Sequence, residues 1–157
     1  MTFETTNVDS EKRKTKMKTK QILIIAIILL TIFTSQKIFA ATYYVGTAGT
    51  PSGNYFTDIQ SAVDAASGID TVIVSNVTYV LSSDIDVDKI LTIQSVTRPE
   101  NTIVDGNNSD RCFDLQDYQI IISGFTITNG NGGSGNDGGG VYCSGETPVI
   151  TNCTISG

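Results

Sequence analysis

The chain has 157 residues, with ten basic and sixteen acidic residues and a net charge of −6. It contains no histidine, which excludes any site that depends on an imidazole group. Three cysteines are an odd number, and this argues against a framework of paired disulfides.

The first 40 residues have the order of segments that is typical of a secretory signal peptide. A basic stretch at 12–20 precedes an apolar run at 22–33, and small residues follow at Ala40 and Ala41. The apolar run has 12 residues, fewer than the roughly 20 that span a bilayer, so a cleaved leader is favoured over a membrane anchor. We expect cleavage after Ala40, although Ile38 is large for its position and leaves the exact bond open. The protein is then secreted or held at the cell surface, and it meets the membrane only through the leader.

Removing this leader makes the chain more acidic. Residues 41–157 carry 3 basic and 13 acidic side chains, a net charge of −10. Because such a surface repels phosphate backbones, nucleic acid is excluded as a partner.

Residues 41–69 predict a short strand and one helix. The strand is expected at 41–46, and a turn-rich loop follows it. The helix is expected at 57–66, with Thr57 and Gln60 forming a capping box and Gly68 ending it. The apolar residues of the segment have the spacing i, i+3, i+4 and i+7 of one helix face: Ile59, Ala62, Val63 and Ala66.

Residues 70–157 predict short strands separated by polar turns, and these strands repeat. Residues 113–129 match the residues 28 positions later without a gap. One coil earlier the matches are looser, since Ile85, Ile93 and Ile103 correspond at shifts of 28, 29 and 24. A period of this length indicates stacked structural units. The matching apolar pairs are Phe113 with Val141, Ile122 with Ile150, and Ile127 with Ile155.

The repeat predicts an all-β fold, a right-handed parallel β-helix with three strands per coil, in which the helix of 57–66 covers the N-terminal end. Alternation along the strands places Thr126 and Thr128 outside. Since 154–157 end the chain inside a rung, we expect it to be the N-terminal part of a longer protein. The residues expected inside the coil are Phe113, Leu115, Phe125 and Ile127.

The cysteines fall at different phases of the repeat. Cys143 and Cys153 correspond to Leu115 and Phe125 one coil earlier, so both are expected in the core as small apolar residues. Cys112 lies out of phase and is expected to face outward.

Several segments together resemble the secreted bacterial right-handed β-helix proteins of the pectin-lyase-like superfamily. They are the helix-to-strand stretch 56–74, the strand and turn at 102–106, and the glycine-bounded strands at 124–130 and 138–142. The Gly-Gly-Gly-Val-Tyr and Phe-Thr-Ile-Thr-Asn pieces are also similar to polymorphic outer-membrane adhesin repeats. The resemblance implies the fold, but this fold carries lyases, hydrolases, adhesins and passive surface proteins.

The resemblance also sets requirements for catalysis. Members similar to polygalacturonases use a histidine-containing motif, which this chain lacks. Members similar to pectate lyases use carboxylate-bound calcium and a basic residue, for which Lys89, Arg98 and Arg111 are available. Arg111, near Asp105, Asp110 and Asp114, is the best candidate, but a solvated turn with an exposed ion pair is the favoured interpretation. No catalytic residue is therefore predicted.

No metal site is predicted either, and calcium is the one ion that the loops suggest. Residues 132–137, ending in Asp137, match the first six positions of a calcium-binding nonapeptide, but no second copy follows. The oxygen-rich loop that contains Asp105 and Asp110 lacks the spacing of an EF-hand. We expect calcium to leave the melting temperature unchanged, and a shift that Asp137→Ala removes would overturn this.

Glycan contact is the remaining possibility that the side chains suggest. Tyr118 and Tyr142 are candidates for stacking on a sugar ring, and Arg111 is a candidate for polar contact. The expected partner is an extracellular polysaccharide or a cell-surface glycan. The sequence thus predicts an exported β-helix scaffold, adhesin-like or polysaccharide-contacting, that is non-catalytic in this segment. The alternative is the N-terminal part of a pectate-lyase-like polysaccharide lyase or a glycoside hydrolase.

Overall fold

The structure, a computed structural model, describes residues 12–13, 15–25, 39–47, 53–117, 119–133, 138–145 and 147–157. The chain divides into two compact units, Met1–Phe39 and Ala40–Gly157. The first unit contains an exposed helix, α1, at 15–25. Most of the predicted apolar run of the leader lies outside the described residues. Among those that are described, no helix has both the length and the apolar character needed to cross a membrane.

The regular secondary structure of the second unit is almost entirely short strands. A helix α2, Ile59–Ala65, and a 3-10 turn, Pro99–Asn101, interrupt them. The strands are β1 Thr42–Val45, β2 Tyr55–Phe56, β3 Thr71–Val74, β4 Thr78–Val80, β5 Ile85–Val87, β6 Thr92–Ser95, β7 Ile103–Asp105, β8 Phe113–Leu115, β9 Ile121–Ser123, β10 Thr126–Thr128, β11 Val141–Cys143, β12 Val149–Thr151 and β13 Thr154–Ser156.

The strands form three parallel sheets. Sheet A has the order β12-β9-β6-β3-β1-β2, sheet B has β13-β10-β7-β4, and sheet C has β11-β8-β5. From β3 onward, successive strands along the chain join sheets A, B and C in turn, so each coil contributes one strand to each sheet. The chain is therefore a parallel β-solenoid of about four coils, which confirms the predicted all-β fold with three strands per coil.

The interior is built from ladders of apolar side chains that stack from coil to coil. In sheet A, Val72, Ile93 and Ile122 are in register and have no exposed surface. Burying a side chain of this size stabilises the fold by roughly 1.5–3 kcal/mol. The four residues expected inside are all fully buried: Phe113, Leu115, Phe125 and Ile127.

One predicted match in the repeat is wrong by a single residue. Ile127 pairs with Val104, which is fully buried, and not with Ile103. Ile103 pairs with Thr126 and is only partly buried. The two adjacent residues are both apolar, so hydrophobicity alone does not distinguish the inward from the outward position.

The cysteine predictions need correction. Cys112, expected outside, has no exposed surface, because the backbone turns a corner before β8 and places Cys112 and Phe113 both inward. Cys143 does stack on Leu115, but it is exposed, since β11 is an edge strand of sheet C. Cys153 is partly buried and packs against the core.

Helix α2 has the predicted apolar face but a different start. Its cap is Asp58, whose carboxylate accepts a hydrogen bond from the Ser61 amide at 2.8 Å, so the capping box expected at Thr57 does not form. The buried residues of the helix contact β5, the edge strand of sheet C, as well as β1, β2 and β3. The helix thus covers the edge of sheet C that faces the N-terminal side. Its buried residues are Ile59, Ala62 and Val63.

Candidate ligand-binding face on sheet C

The outer face of sheet C presents a column of polar and aromatic side chains. Asp86 in β5, Asp114 in β8 and Tyr142 in β11 are in register, one per coil. Asp86 and Asp114 each lie between two buried residues, as in Phe113-Asp114-Leu115, so strand alternation directs them outward, and Tyr142 is in register with Asp114. Residues in register on neighbouring strands lie about 4.8 Å apart in the hydrogen-bonding direction, which places these side chains within contact distance of one another.

Arg111 joins this column from the turn that precedes β8. Its guanidinium carbon lies 4.5 Å from the centre of the Tyr142 ring, a cation–π contact. One terminal nitrogen of the same group lies 3.9 Å from Asp114 Oδ2, a long ion pair. Both partners of the pair are mostly buried, with 23% of the Arg111 side chain and 14% of the Asp114 side chain exposed. Arg111 is therefore held between an aromatic ring and a carboxylate.

Three carboxylates meet beside this arginine. Oxygen atoms of Asp84, Asp86 and Asp114 all lie within 4.8 Å of one another. Desolvation raises the pKa of Asp86, and the nearby charges of Asp84, Asp114, Asp88 and Asp64 raise it further. Asp114 Oδ1 is buried and has no hydrogen-bond partner among the described residues. The group is thus a concentration of negative charge that the described side chains do not fully neutralise.

A cavity of about 500 Å³ opens next to these carboxylates. Lys89 lies at its wall, where its ammonium group is 3.6 Å from Asp88 and donates to the Val63 carbonyl at 3.3 Å. The cavity is bounded on one side by helix α2 and on the other by the outer face of sheet C. Its lining residues are Gln60, Asp64, Ser83, Asp84, Asp86, Asp88, Lys89 and Gln116.

The structure brings together two of the three residues that the sequence suggested for glycan contact. Arg111 and Tyr142 touch, whereas Tyr118 lies outside the described residues. Of the acidic residues expected near Arg111, Asp114 is the one at ion-pair distance. Arg111, Tyr142 and Asp114 are therefore the residues of this site that the sequence had suggested.

Two of the three acidic residues that the loops suggested for calcium, Asp105 and Asp110, lie apart from these carboxylates. Asp105 takes part in a turn, where its Oδ1 accepts from the Asn107 amide at 2.9 Å and from the Asn129 side chain at 3.0 Å. Asp105 and Asp110 are not in the group of three carboxylates, and Asp137 lies outside the described residues. Asn107 and Asn108 both have positive φ, as is common for asparagine in tight turns.

Sequence reasoning missed the carboxylates of the neighbouring coil. Asp86 sits 28 residues before Asp114 and in the same pattern, Ile85-Asp86-Val87 against Phe113-Asp114-Leu115. Applying the repeat to the outward residues as well as to the inward ones would have found this pair. Asp84 precedes β5 in a turn, and no periodic signal marks it.

A second pair of exposed aromatic residues was also missed. Tyr44 and Tyr55 are paired in β1 and β2, and their rings stack with centres 5.0 Å apart and planes 17° from parallel. They lie on the outer face of sheet A and are 38% and 58% exposed. Because β2 has only two residues and follows a long loop, its pairing with β1 leaves almost no pattern in the sequence.

The chemistry of the sheet C face is that of a site for polar ligands. Carboxylate oxygens are the ligands that calcium prefers, and three of them close together, one with an unpartnered buried oxygen, fit such an ion. The ring of Tyr142 and the guanidinium of Arg111 offer a flat surface and several donors for hydroxyl groups.

Comparison of the chain with protein-family models, with curated proteins and with solved structures finds no match.

Proposed function

We propose that this chain is an exported, adhesin-like β-solenoid scaffold that contacts polysaccharide through the outer face of sheet C and does not cleave it. The observation that carries the proposal is the position of the Arg111 guanidinium, 4.5 Å from the centre of the Tyr142 ring and beside the Asp114 carboxylate. An aromatic ring flanked by a donor and an acceptor matches a sugar ring, which has apolar C–H faces and polar hydroxyl edges.

The repeating geometry favours an extended ligand. The column of Asp86, Asp114 and Tyr142 runs across the strands, along the direction in which coils stack. A polymer lying in this direction meets one side chain per coil, so several weak contacts act together. This arrangement supports a polysaccharide or a cell-surface glycan as the ligand, because a ligand must extend over about 10 Å, two strand spacings, to meet all three side chains.

The contacts of Arg111 with Asp114 and Tyr142 support binding without catalysis. Both the Asp114 carboxylate and the Tyr142 ring stabilise the positively charged guanidinium. A general base must accept a proton, and an arginine side chain offers hydrogen-bond donors but no acceptor.

Affinity electrophoresis of the exported protein through gels that contain neutral or acidic polysaccharides tests the proposal. We expect one polymer class to retard the protein and Tyr142→Ala to weaken retardation about tenfold, which corresponds to about 1.4 kcal/mol. Tyr142→Phe keeps the ring and should keep retardation, and Tyr44→Ala on sheet A serves as the control for a lost surface tyrosine. The proposal fails if no polymer retards the protein, or if Tyr142→Ala and Tyr44→Ala behave alike.

The carboxylate group favours a second candidate function, a calcium-assisted polysaccharide lyase. Asp84, Asp86 and Asp114 would hold the ion, which would neutralise the acid group of a uronic acid unit when bound. Incubation of the protein with acidic polysaccharides and calcium, followed by ultraviolet absorbance of unsaturated sugars, separates the two functions. Turnover that Asp114→Asn abolishes and Asp137→Ala preserves would replace the first proposal with the second.

A further inference from the structure

The backbone nitrogen of Ala41 is bound by a buried carboxylate. It donates a hydrogen bond of 2.7 Å to Asp70 Oδ1, and the other oxygen of Asp70 accepts from the Ser67 amide at 2.8 Å. Asp70 is only 4% exposed, one of the few buried charged side chains in the described chain. The carbonyl of Ala41 is also used, since it accepts from the Thr71 amide at 2.9 Å. Ala41 is therefore fixed at both of its backbone polar groups.

Ala41 is also the point where the solenoid begins. The boundary between the two compact units falls between Phe39 and Ala40, and both of these residues are exposed, Phe39 by 77%. Strand β1 starts at Thr42, directly after Ala41. The last exposed residue before the solenoid and the first fixed one are thus joined by the peptide bond between Ala40 and Ala41.

We infer that the Ala40–Ala41 bond is a processing site and that the amine released at Ala41 remains on Asp70 as an ion pair. Water is the co-reactant: the Ala40 carbonyl carbon gains the hydroxyl and becomes a carboxylate, and the Ala41 nitrogen gains the proton and becomes an ammonium group at neutral pH. A peptidase of the export machinery would act while the chain is extended, and folding then places the new terminus against Asp70. This inference rests on the proposed export of the protein, but not on its binding of polysaccharide.

Cleavage changes the balance of charge around Asp70. In the uncleaved chain the buried carboxylate is satisfied by two neutral amides, those of Ala41 and Ser67. In the cleaved chain one of these donors carries a full positive charge, so a Coulombic attraction between two ions is added to the hydrogen bond. A buried carboxylate gains more from such a partner than an exposed one does, because water screens it less. The processed solenoid is therefore more stable than one whose terminus is blocked.

The lysine content of the processed chain allows the terminal amine to be modified selectively. Residues 41–157 contain a single lysine, Lys89, so in a Lys89→Arg variant of these residues the terminal amine is the one reactive amine. The exported protein is first weighed by mass spectrometry, and we expect a chain that begins at Ala41. The terminal amine is then acetylated, which keeps one N–H donor but removes the charge, and melting temperatures are compared.

We expect acetylation to lower the melting temperature by about 4 °C, and Asp70→Asn to abolish the difference between free and acetylated protein. An exported chain that begins at another residue would overturn the processing site. A chain that begins at Ala41 but melts at the same temperature with and without acetylation would overturn the ion pair. Failure of the polysaccharide proposal leaves all of these measurements unchanged, so the two failures are distinguishable.

Discussion

The side-chain amide of Gln60 pairs with both backbone groups of Asp86. Its Oε1 accepts from the Asp86 amide at 2.8 Å, and its Nε2 donates to the Asp86 carbonyl at 3.3 Å. Asp86 lies in β5, the edge strand of sheet C, so a helix side chain makes the hydrogen bonds that another strand would make. Unpaired strand edges invite association with other chains. Helix α2 therefore covers the core of the first coil and blocks part of its backbone edge.

Gln60→Ala is expected to open this edge. Losing the two hydrogen bonds to Asp86, together with the 2.7 Å bond that Gln60 Nε2 donates to Asp64 Oδ1, should lower the free energy of unfolding by about 1 kcal/mol, measured by urea denaturation. Light scattering at increasing protein concentration should detect self-association of the variant. Gln116→Ala is the matched control, because the Gln116 side chain donates to the Asp86 carboxylate at 3.4 Å and not to the backbone edge. Equal behaviour of the two variants would show that the Gln60 pairing does not protect the edge.

Gly106→Ala is expected to destabilise the solenoid strongly. A Cβ at Gly106 would lie 2.8 Å from the Asn129 carbonyl oxygen, the Asp110 carbonyl oxygen and the Gly130 Cα, all of them backbone atoms. Because backbone cannot rotate away as a side chain can, we expect a loss of about 2 kcal/mol in urea denaturation. Gly68→Ala is the control, since nothing lies within 4 Å of that Cβ and the variant should be neutral or slightly stabilised. A neutral Gly106→Ala would mean that neighbouring coils separate easily.

The residues that form the inner ladders of this fold were predictable from the sequence, whereas the residues at the bends between strands were not. Phe113, Leu115 and Ile127 were predicted inside because a fixed spacing and strict alternation both point to them, and both signals come from the strands. Cys112 was misplaced because it lies at a corner, where the backbone bends and two consecutive residues face inward. Val104 was confused with Ile103 because the turn before β7 has a different length from the corresponding turn of the next coil.

The candidate site was predictable only in part, for a related reason. Arg111 and Tyr142 were identified one by one, but their contact depends on how the turn before β8 aims a long side chain at the next coil. Asp86 and Asp114 were predictable from the repeat, because register alone aligns them. The pairing of Gln60 with the backbone of Asp86 was not predictable, because Asp86 lies 26 residues away on an edge strand. A capping box with Thr57 also offered a local explanation for a glutamine at this position.

Asp86→Asn is expected to stabilise the protein at neutral pH. The pKa of Asp86 is raised by desolvation and by Asp84, Asp114 and two further acidic residues, so the folded state disfavours its charged form. The folded chain then binds more protons than the unfolded chain between the ordinary value of 3.8 and the raised value, and stability falls as pH rises through that interval. The gain of the variant should be present at pH 7 and absent below pH 3.8.

Because Asp86 is largely exposed, solvent screening keeps this gain below about 1 kcal/mol. Melting temperatures of the variant and the native chain across the pH range measure it. Glu100→Gln, which removes an exposed charge outside the group of three carboxylates, is the control for net charge. A gain that is equal in both variants would come from net charge, not from crowding of carboxylates on sheet C.

Two of the three thiols, those of Cys143 and Cys112, are expected to react at different rates with a disulfide reagent at pH 8. Cys143 is exposed and should react first, but more slowly than in the unfolded chain, because burial and the charge of Asp114 raise its pKa and the thiolate is the reactive form. Cys112 is fully buried, its pKa is raised by burial, and it should react only on unfolding. Cys143→Ser should remove the first phase, and reaction of Cys112 in the folded protein would contradict its place in the core.

The constant spacing of the last two coils also bears on how such a chain changes over generations. Val141, Val149 and Thr154 each lie 28 residues after the residue with which they pair. A duplicated or deleted block of 28 codons leaves every ladder in register, whereas loss of a single codon within a strand turns its inward side chains outward. A length variant that differs by one whole coil is therefore expected to keep its core and to present the same three faces.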